Sequence, residues 1–380
     1  MKEPRLGVVA RSRKENEWRL PIHPQHFERV DEDLRGHLHV ERGYGERFGI
    51  SDERLKPYVA GLHDREWLLA ESDIVVLPKL QAQDLAEIGV GRTAWGWPHC
   101  VQDEQLTQVA IDRRQTLIAF EAMNYWTSDG SFGLHVFHQN NEMAGYCSVL
   151  HTLELVGSTG VYGRRMSAVV IGFGATARGA VTALVSHGVH DVCVLTSRPI
   201  QAVSAPIHAA RIRRLVRDGS ADGELSVVTD AGRVPVAGFL IQHDIVVNCT
   251  LQDPNAPMMF VSEKDLGTFR PGSLIIDVSC DEGMGFDWAR PTSFKQPTFV
   301  VGDNVVYYAV DHSPSYLWNS ATWVNSEALL PFVRRVLGGA EAWDTDKTLR
   351  RAIEIRDGVI QNPAILTFQD RSPDYPHPKV

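Results

Sequence analysis

Three side chains able to move protons stand where short apolar runs end. Lys79 follows Ile74-Val-Val-Leu-Pro78, His99 follows Thr93-Ala-Trp-Gly-Trp-Pro98, and Glu121 follows Thr116-Leu-Ile-Ala-Phe120. Open parallel sheets present ligand-contacting groups at such strand ends. A lysine in a cleft is desolvated and its pKa falls, a histidine titrates near neutrality unaided, and a carboxylate beside them tunes either one. Arg19, in Glu17-Trp-Arg-Leu-Pro21 past the first apolar run, has the fork to pair with a carboxylate. Further along, Asp281 opens the turn Asp281-Glu-Gly-Met-Gly285, and His312, in Asp311-His-Ser-Pro314, heads a helical pattern from which it could touch a ligand. Each has a plainer alternative: a surface lysine, a core histidine, a solvated strand end, a structural ion pair, a helix cap.

The run Ser167-Ala-Val-Val-Ile-Gly-Phe-Gly-Ala-Thr-Ala-Arg-Gly179 supplies the other half of a reaction. An apolar strand empties into Gly172-x-Gly174-x-x-Ala177 and then a helix, which is the form of a dinucleotide-binding turn. Gly172 permits the tight turn, Gly174 leaves room for a pyrophosphate, and Ala177 lets the helix pack on its strand. The amides of Ala175, Thr176 and Ala177 would face the anion. A second strand, Asp191 to Thr196, ends in Thr196-Ser197-Arg198. Where NAD-preferring sites place an acid against the ribose, Ser197 and Arg198 offer a hydroxyl and a cation suited to a 2′-phosphate. NADP(H) is favoured, with NAD(H) left open.

Around these motifs, strand-like and helix-like segments alternate, the signature of α/β architecture with mainly parallel sheets. Two long helical patterns, Asn141 to Val156 and Ser313 to Leu337, flank the glycine turn and read as connectors between domains. The expected fold is a Rossmann-type nucleotide domain, residues 139–310, inserted into a discontinuous α/β catalytic domain formed by residues 1–138 and 311–380. Aromatic residues Trp95, Trp97, Tyr125 and Trp126 either line a substrate pocket or fill the core.

With 380 residues, 43% of them hydrophobic, the chain can bury two domain cores. The net charge of −9 and the lack of a basic stripe argue against nucleic acid, and Arg211-Ile-Arg-Arg-Leu-Val-Arg217 reads as a solvated helix face. The Met1-Lys-Glu-Pro-Arg start resembles no signal peptide and no apolar run is long enough to span a membrane, so a cytoplasmic protein is expected. Five scattered cysteines without a Cys-x-x-Cys pair suggest neither a metal site nor a disulfide framework.

Taken as an ordered set, these residues resemble the alanine dehydrogenase and pyridine nucleotide transhydrogenase N-terminal superfamily over almost the whole chain. The matching pieces are Glu17-Trp-Arg-Leu-Pro-Ile-His-Pro24, Glu41-Arg-Gly-Tyr-Gly45, Lys79, Trp97-Pro-His-Cys100, Phe120-Glu121, Ala144-Gly-Tyr146, the glycine turn, Leu274-Ile-Ile-Asp277 through Asp281, and Val310-Asp-His-Ser-Pro314. Within the superfamily the chain looks closest to N5-(carboxyethyl)ornithine synthase and lysine-forming saccharopine dehydrogenase. The resemblance implies catalysis in a cleft between two domains. It gives Arg19 a substrate carboxylate, Lys79 and His99 the acid–base work, and Glu121 a modulating role. Asp281 would lie near substrate and nicotinamide. Pro78-Lys79-Leu80 and His312-Ser-Pro314 depart from the alanine dehydrogenase form.

The function so indicated is an NAD(P)H-dependent oxidoreductase acting on a C–N bond. It would condense an amino acid with a 2-oxo acid by imine reduction to a secondary amine, or run the reverse. One alternative is reductive amination of an oxo acid with ammonia, as in alanine dehydrogenase, and another is a non-catalytic nucleotide-binding regulator. Small amino acids and oxo acids are the expected partners, with no membrane or nucleic acid, and the reading leans to a homo-oligomer.

Overall fold

The computed structural model describes residues 4–198, 209–219, 223–252 and 257–380. The chain divides into two compact units, one made of Met1–His138 with Leu317–Val380 and the other of Gln139–Tyr316. Asp311–Tyr316, read from the sequence as part of the catalytic domain, therefore belong to the second unit.

The first unit is built on one eight-stranded sheet. Its order is Val359–Ile360, Ile353–Arg356, Thr116–Ala119, Thr93–Trp97, Ile74–Lys79, Leu6–Val8, Leu38–Glu41 and Gly61–His63. The last six strands in that order run parallel, and the first two are antiparallel additions. Every residue of Ile74–Lys79 and of Thr93–Trp97 is buried. The pleat sends alternate side chains to two cores: Leu6, Val8, Val76, Trp95 and Ile118 to one face, Val75, Leu77, Ala94 and Leu117 to the other. The chain order reverses at Leu6–Val8, which pairs with Leu38–Glu41 on one side and Ile74–Lys79 on the other. In such sheets a ligand crevice opens beyond the carboxyl ends of the strands at that switch.

The second unit carries a nine-stranded sheet centred on Ser167–Ile171, flanked by Asp191–Thr196 and Ile245–Asn248, all parallel. Ala168, Val170, Val194 and Val247 face one core, and Val169, Ile171, Leu195 and Val246 the other. Residues Arg211–Arg217 are not a helix face. They form a strand parallel to Asp191–Thr196 and antiparallel to Leu225–Thr229, with Leu215 buried against Val227. Sheet pairing on both sides overrides the charge-rich composition that suggested a solvated helix.

The helices His138–Leu155 and Ala175–Ser186 cross at Gly145 and Gly179. A methyl group on Gly179 would sit 1.7 Å from the Glu142 carbonyl oxygen, so only glycine allows this approach. The Ser313 to Leu337 pattern resolves into a 3-10 turn, Ser313–Leu317, and the long helix Trp318–Leu337. Trp95 and Trp97 are core residues, whereas Tyr125 is exposed on the hairpin Asn124–Trp126 with Phe132–His135. All five cysteines are free thiols. No helix among the described residues is long and apolar enough to cross a membrane.

Candidate active site

Lys79 owes its position to an irregularity between two strands. Val76 pairs with Trp95 but Lys79 pairs with Trp97, so the lysine strand carries one extra residue. Pro78, with no N–H to give the ladder, falls inside this bulge. The bulge pushes the Leu77 carbonyl towards the neighbouring strand, where a Cβ at position 96 would lie 2.0 Å from its oxygen. Gly96 is therefore required, and Leu77-Pro78 and Gly96 together re-aim Lys79. Its backbone carbonyl accepts a hydrogen bond from the Ser12 hydroxyl, in the loop after the first strand, and the residue is 9% exposed.

Two residues past Trp97, His99 adopts φ +49°, a left-handed conformation that non-glycine residues seldom take. Its N–H donates to Glu121 Oε1 over 2.7 Å, and its carbonyl accepts from the N–H groups of Gln102 and Asp103. The imidazole Nδ1 stands 3.7 Å from the same Glu121 oxygen. Such enforced geometry in the backbone is typical of functional sites. Burial pushes the Glu121 carboxyl up to about 8, the negative charge of Glu354 adds to the rise, and Lys79 opposes it. Lys79, His99 and Glu121 are thus brought to the ends of three adjacent strands.

Arg19 joins them from the loop beyond the switch-point strand. Its guanidinium grips Glu17 through both Nε, at 2.8 Å, and Nη2, and lies over the Trp97 ring at 4.8 Å. Both ion-pair partners are almost fully buried. The loop is clamped at its far end by the Leu20 N–H donating to Thr322 and by Tyr44, whose hydroxyl accepts from Ile22 N–H and donates to Ile22 O. Sequence reasoning offered an ion pair as the plain alternative for Arg19, and that pair is present.

In the second unit Gly172 takes φ +107°, and a Cβ there would approach the Cys249 carbonyl oxygen to 2.8 Å. Gly174 caps the helix Ala175–Ser186. A methyl group on Gly174 would meet nothing within 4 Å, so open space lies beside the first helical turn. That cradle fits a pyrophosphate at a helix N-terminus. Ala177 is fully buried in the core beneath, although the tightest packing falls at Gly179, which the motif does not mark. Ser197 and Arg198 are exposed at the end of the neighbouring strand. Arg198 Nη2 donates to the Phe173 carbonyl of the glycine turn over 2.7 Å, and the Arg178 and Arg198 guanidinium groups lie 4.7 and 5.9 Å from the Phe173 ring.

Asp281 follows Cys280, itself at φ +48°, and burial raises its carboxyl above the usual range. The residue that holds this turn is Asp277, whose Oδ1 accepts from Asn248 Nδ2 and Cys280 N–H and whose Oδ2 accepts from the Tyr307 hydroxyl. His312 is buried, its Nδ1 2.6 Å from Asp311 Oδ1 and its ring edge-on to Phe294.

Family models match nearly the whole chain: alanine dehydrogenase/PNT, N-terminal domain, over residues 7–142, and alanine dehydrogenase/PNT, C-terminal domain, over residues 150–363. The chain belongs to the alanine dehydrogenase/PNT family. It is 26% identical to an alanine dehydrogenase of Halomonas elongata over 94% of this chain and 95% of that one. It is 23% identical to an alanine dehydrogenase of Mycobacterium tuberculosis over 96% of each. An N(5)-(carboxyethyl)ornithine synthase of Clostridium botulinum is 23% identical over 82% of this chain and 89% of its own. Among solved structures, an L-alanine dehydrogenase superposes with a TM-score of 0.75 at 20% identity, covering 96% of this chain and 98% of that one, and shares the fold. A transhydrogenase from Sinorhizobium meliloti reaches 0.66 at 18% identity, covering 94% and 99%. As an alanine dehydrogenase/PNT family member the protein is an oxidoreductase of pyridine-nucleotide type, and its glycine turn fits that cofactor.

Three features escape the sequence reading of this family member: Asp277 as the brace for Asp281, Glu17 as the partner of Arg19, and Glu354 beside Glu121. The first two lie within motifs already marked, and only their pairing is new. Glu354 carries no local signal, because its neighbour Glu121 stands far away in the chain.

Proposed function

We propose that this protein is an amino-acid dehydrogenase that interconverts a 2-oxo acid and ammonia with the corresponding 2-amino acid, at the expense of a pyridine nucleotide. The observation that carries the reading is the convergence of Lys79, His99 and Glu121 at adjoining strand ends, with the Arg19 cation over Trp97. The prevalence of alanine dehydrogenases among the relatives supports ammonia as the amine.

Arg19, oriented by Glu17, binds the oxo-acid carboxylate and sets the carbonyl carbon in place. Lys79 and His99 deliver the protons that let the carbonyl oxygen leave as water once the amine has added, and in reverse they withdraw them. The nicotinamide, when bound, supplies the hydride for the resulting C=N carbon or accepts it in the opposite direction. Glu121 sets the charge around the acid–base pair, Asp281 assists the chemistry and His312 binds substrate. Gly172, Gly174, Ala175, Thr176 and Ala177 hold the pyrophosphate, and Ser197 with Arg198 favour NADP(H). The catalytic unit is residues 1–138 with the C-terminal segment, and the nucleotide unit is the insertion between them.

A second reading, in which a primary amino acid replaces ammonia and the product is a secondary amine, is favoured by two departures from the alanine dehydrogenase form. These are Pro78-Lys79-Leu80 and His312-Ser-Pro314, and the carboxyethylornithine synthase relative points the same way. The deciding experiment follows NADPH and NADH oxidation with pyruvate, glyoxylate or 2-oxoglutarate against ammonia, ornithine or lysine, with products identified by mass. Turnover with ammonia alone supports the first reading. Turnover that demands an amino acid and yields a secondary-amine mass supports the second. Lys79→Met should abolish either while leaving nucleotide binding intact, and full activity in that variant would refute both.

A further inference from the structure

Glu354 is a buried carboxylate that the proposed chemistry does not yet use. It lies in the strand Ile353–Arg356, antiparallel to Thr116–Ala119, the strand that leads to Glu121. Ile353 pairs with Ile118 and Ile355 with Leu117, so Glu354 is the extra residue of a β-bulge. The consequence is visible in the packing. Ile353 joins the core that contains Trp95 and Ile118, whereas Ile355 joins the opposite core with Ala94 and Leu117. In a regular strand both isoleucines would share one face. Glu354 is only 6% exposed, and Asn362 Nδ2 donates to its Oε2 over 2.7 Å.

We propose that Glu354 is a positioning residue for the acid–base group: the bulge turns its carboxylate inward near Glu121, the two carboxyls hold one proton between them, and Glu354 thereby sets the charge that Glu121 shows to His99 and Lys79. The inference rests on the reading of Lys79 and His99 as the acid–base pair. Two neighbouring carboxylates in a buried site cannot both ionise without cost, so a proton remains on one of them. Burial raises both carboxyls, Glu121 to about 8, and the Asn362 amide opposes the rise at Glu354. Asn362 stabilises a negative Glu354. Glu121 accepts from His99 N–H at Oε1, but its buried Oε2 has no hydrogen-bond partner among the described residues, which disfavours a charge there. Burial pushes the Cys100 thiol upward, and Glu354 and Glu121 add to the rise.

The groups facing Glu121 come from several elements: Lys79, His99 and Cys100 from the neighbouring strand ends, Glu354 from the bulge, and His135, whose Nε2 meets the Glu121 carbonyl at 3.1 Å and which burial drives towards the neutral form. Burial raises Glu121 most and Glu354 adds to it, while its own N–H, the His99 N–H and Lys79 oppose the rise. At neutral pH Glu121 therefore holds its proton. Removing the Glu354 charge lets Glu121 ionise, and an anionic Glu121 keeps the adjoining imidazole and ammonium protonated to higher pH.

The test is infrared difference spectroscopy of the full chain with pH, on wild type, Glu121→Gln, Glu354→Gln and Asn362→Ser. Serine retains a capping oxygen for the helix Pro363–Phe368 but withdraws the amide from Glu354. Wild type should show a protonated carboxyl at neutral pH that Glu121→Gln lacks and that titrates near 8. Glu354→Gln should lower that titration by about one pH unit and shift the basic-group limb of kcat/KM upward, with NADPH binding unchanged. Asn362→Ser should move the proton to Glu354 and shift the limb the same way. A wild type without the protonated band, or a Glu354→Gln protein that binds NADPH normally with the titration unmoved, would overturn the inference. If Glu354→Gln does not fold, Asn362→Ser decides alone. The spectra need no turnover, so failure of the dehydrogenase reading leaves them interpretable.

Discussion

Asn248 and Asp277 stand opposite one another on adjacent parallel strands, and the Asn248 amide donates to the Asp277 carboxylate over 2.9 Å. This bond ties the carboxyl ends of two strands together where the turn leading to Asp281 begins.

Asp277 is fully buried, and its carboxyl is raised to about 6, chiefly by burial, against three donors that lower it. A carboxyl whose folded pKa exceeds its unfolded value stabilises the fold fully below the unfolded pKa, and that contribution is lost as pH rises through the folded one. Stability attributable to Asp277 should therefore fall between about pH 4 and pH 6. Asp277→Asn keeps an oxygen for Asn248 and Cys280 and offers an N–H to the Tyr307 oxygen. It should unfold at equal or higher denaturant at neutral pH, with that pH dependence removed. Asp277→Leu strands three donors and should cost about 2–4 kcal/mol. Chemical denaturation at several pH values distinguishes the cases, and a tolerated leucine would deny the bracing role.

The Glu17–Arg19 pair leads to a second expectation. Removing one partner of a buried ion pair takes away a compensating charge, at a typical cost of about 3–5 kcal/mol. Glu17→Ala should thus lower the thermal midpoint sharply. Arg19→Lys retains the charge but loses the fork, so a folded protein should emerge whose KM for the oxo acid rises about tenfold or more, with nucleotide affinity unchanged. Steady-state kinetics decides between roles: an unchanged KM would leave Arg19 a purely structural partner of Glu17 and Trp97.

How much of this could be read in advance follows from the range of each interaction. The glycine turn is local, so its strand, turn and helix are legible from consecutive residues. The strand-end positions of Lys79, His99 and Glu121 are legible for the same reason, since hydrophobic runs mark where strands stop. The bulge that aims Lys79 is half legible: Pro78 signals a break in the ladder, but the need for Gly96 appears only when two strands are paired. Arg211–Arg217 is not legible locally, because its partners, Asp191–Thr196 and Leu225–Thr229, decide its state. Glu354 was invisible, as an acid between two isoleucines reads as a solvent-facing residue until a bulge turns it inward.

Gly172 and Gly174 should separate folding from binding. Gly172→Ala forces a side chain into φ +107° and against the Cys249 carbonyl, so it should destabilise the nucleotide unit. Gly174→Ala meets no protein atom and its φ of −90° is ordinary, so the protein should fold normally. Its methyl group occupies the space proposed for the pyrophosphate, and affinity for either nucleotide should drop at least about tenfold. Fluorescence titration beside thermal unfolding measures both. Unimpaired binding by Gly174→Ala would move the pyrophosphate elsewhere.

Arg198 provides the test of nucleotide choice. Its guanidinium leans on the Phe173 carbonyl, so it is both a brace for the glycine turn and a cation at the end of the second strand. If it reads the 2′-phosphate, Arg198→Ala should weaken NADPH binding by about tenfold to a hundredfold, the worth of a charge-assisted contact, while NADH changes little. If it is a brace alone, both nucleotides weaken equally, because the turn holds the pyrophosphate common to them. A third possibility, improved NADH binding, would mean that the cation repels nothing but crowds the unmodified ribose. Both dissociation constants, measured by nucleotide fluorescence in wild type and variant, are therefore needed, and a loss of NADPH affinity with NADH affinity kept supports the NADP(H) preference.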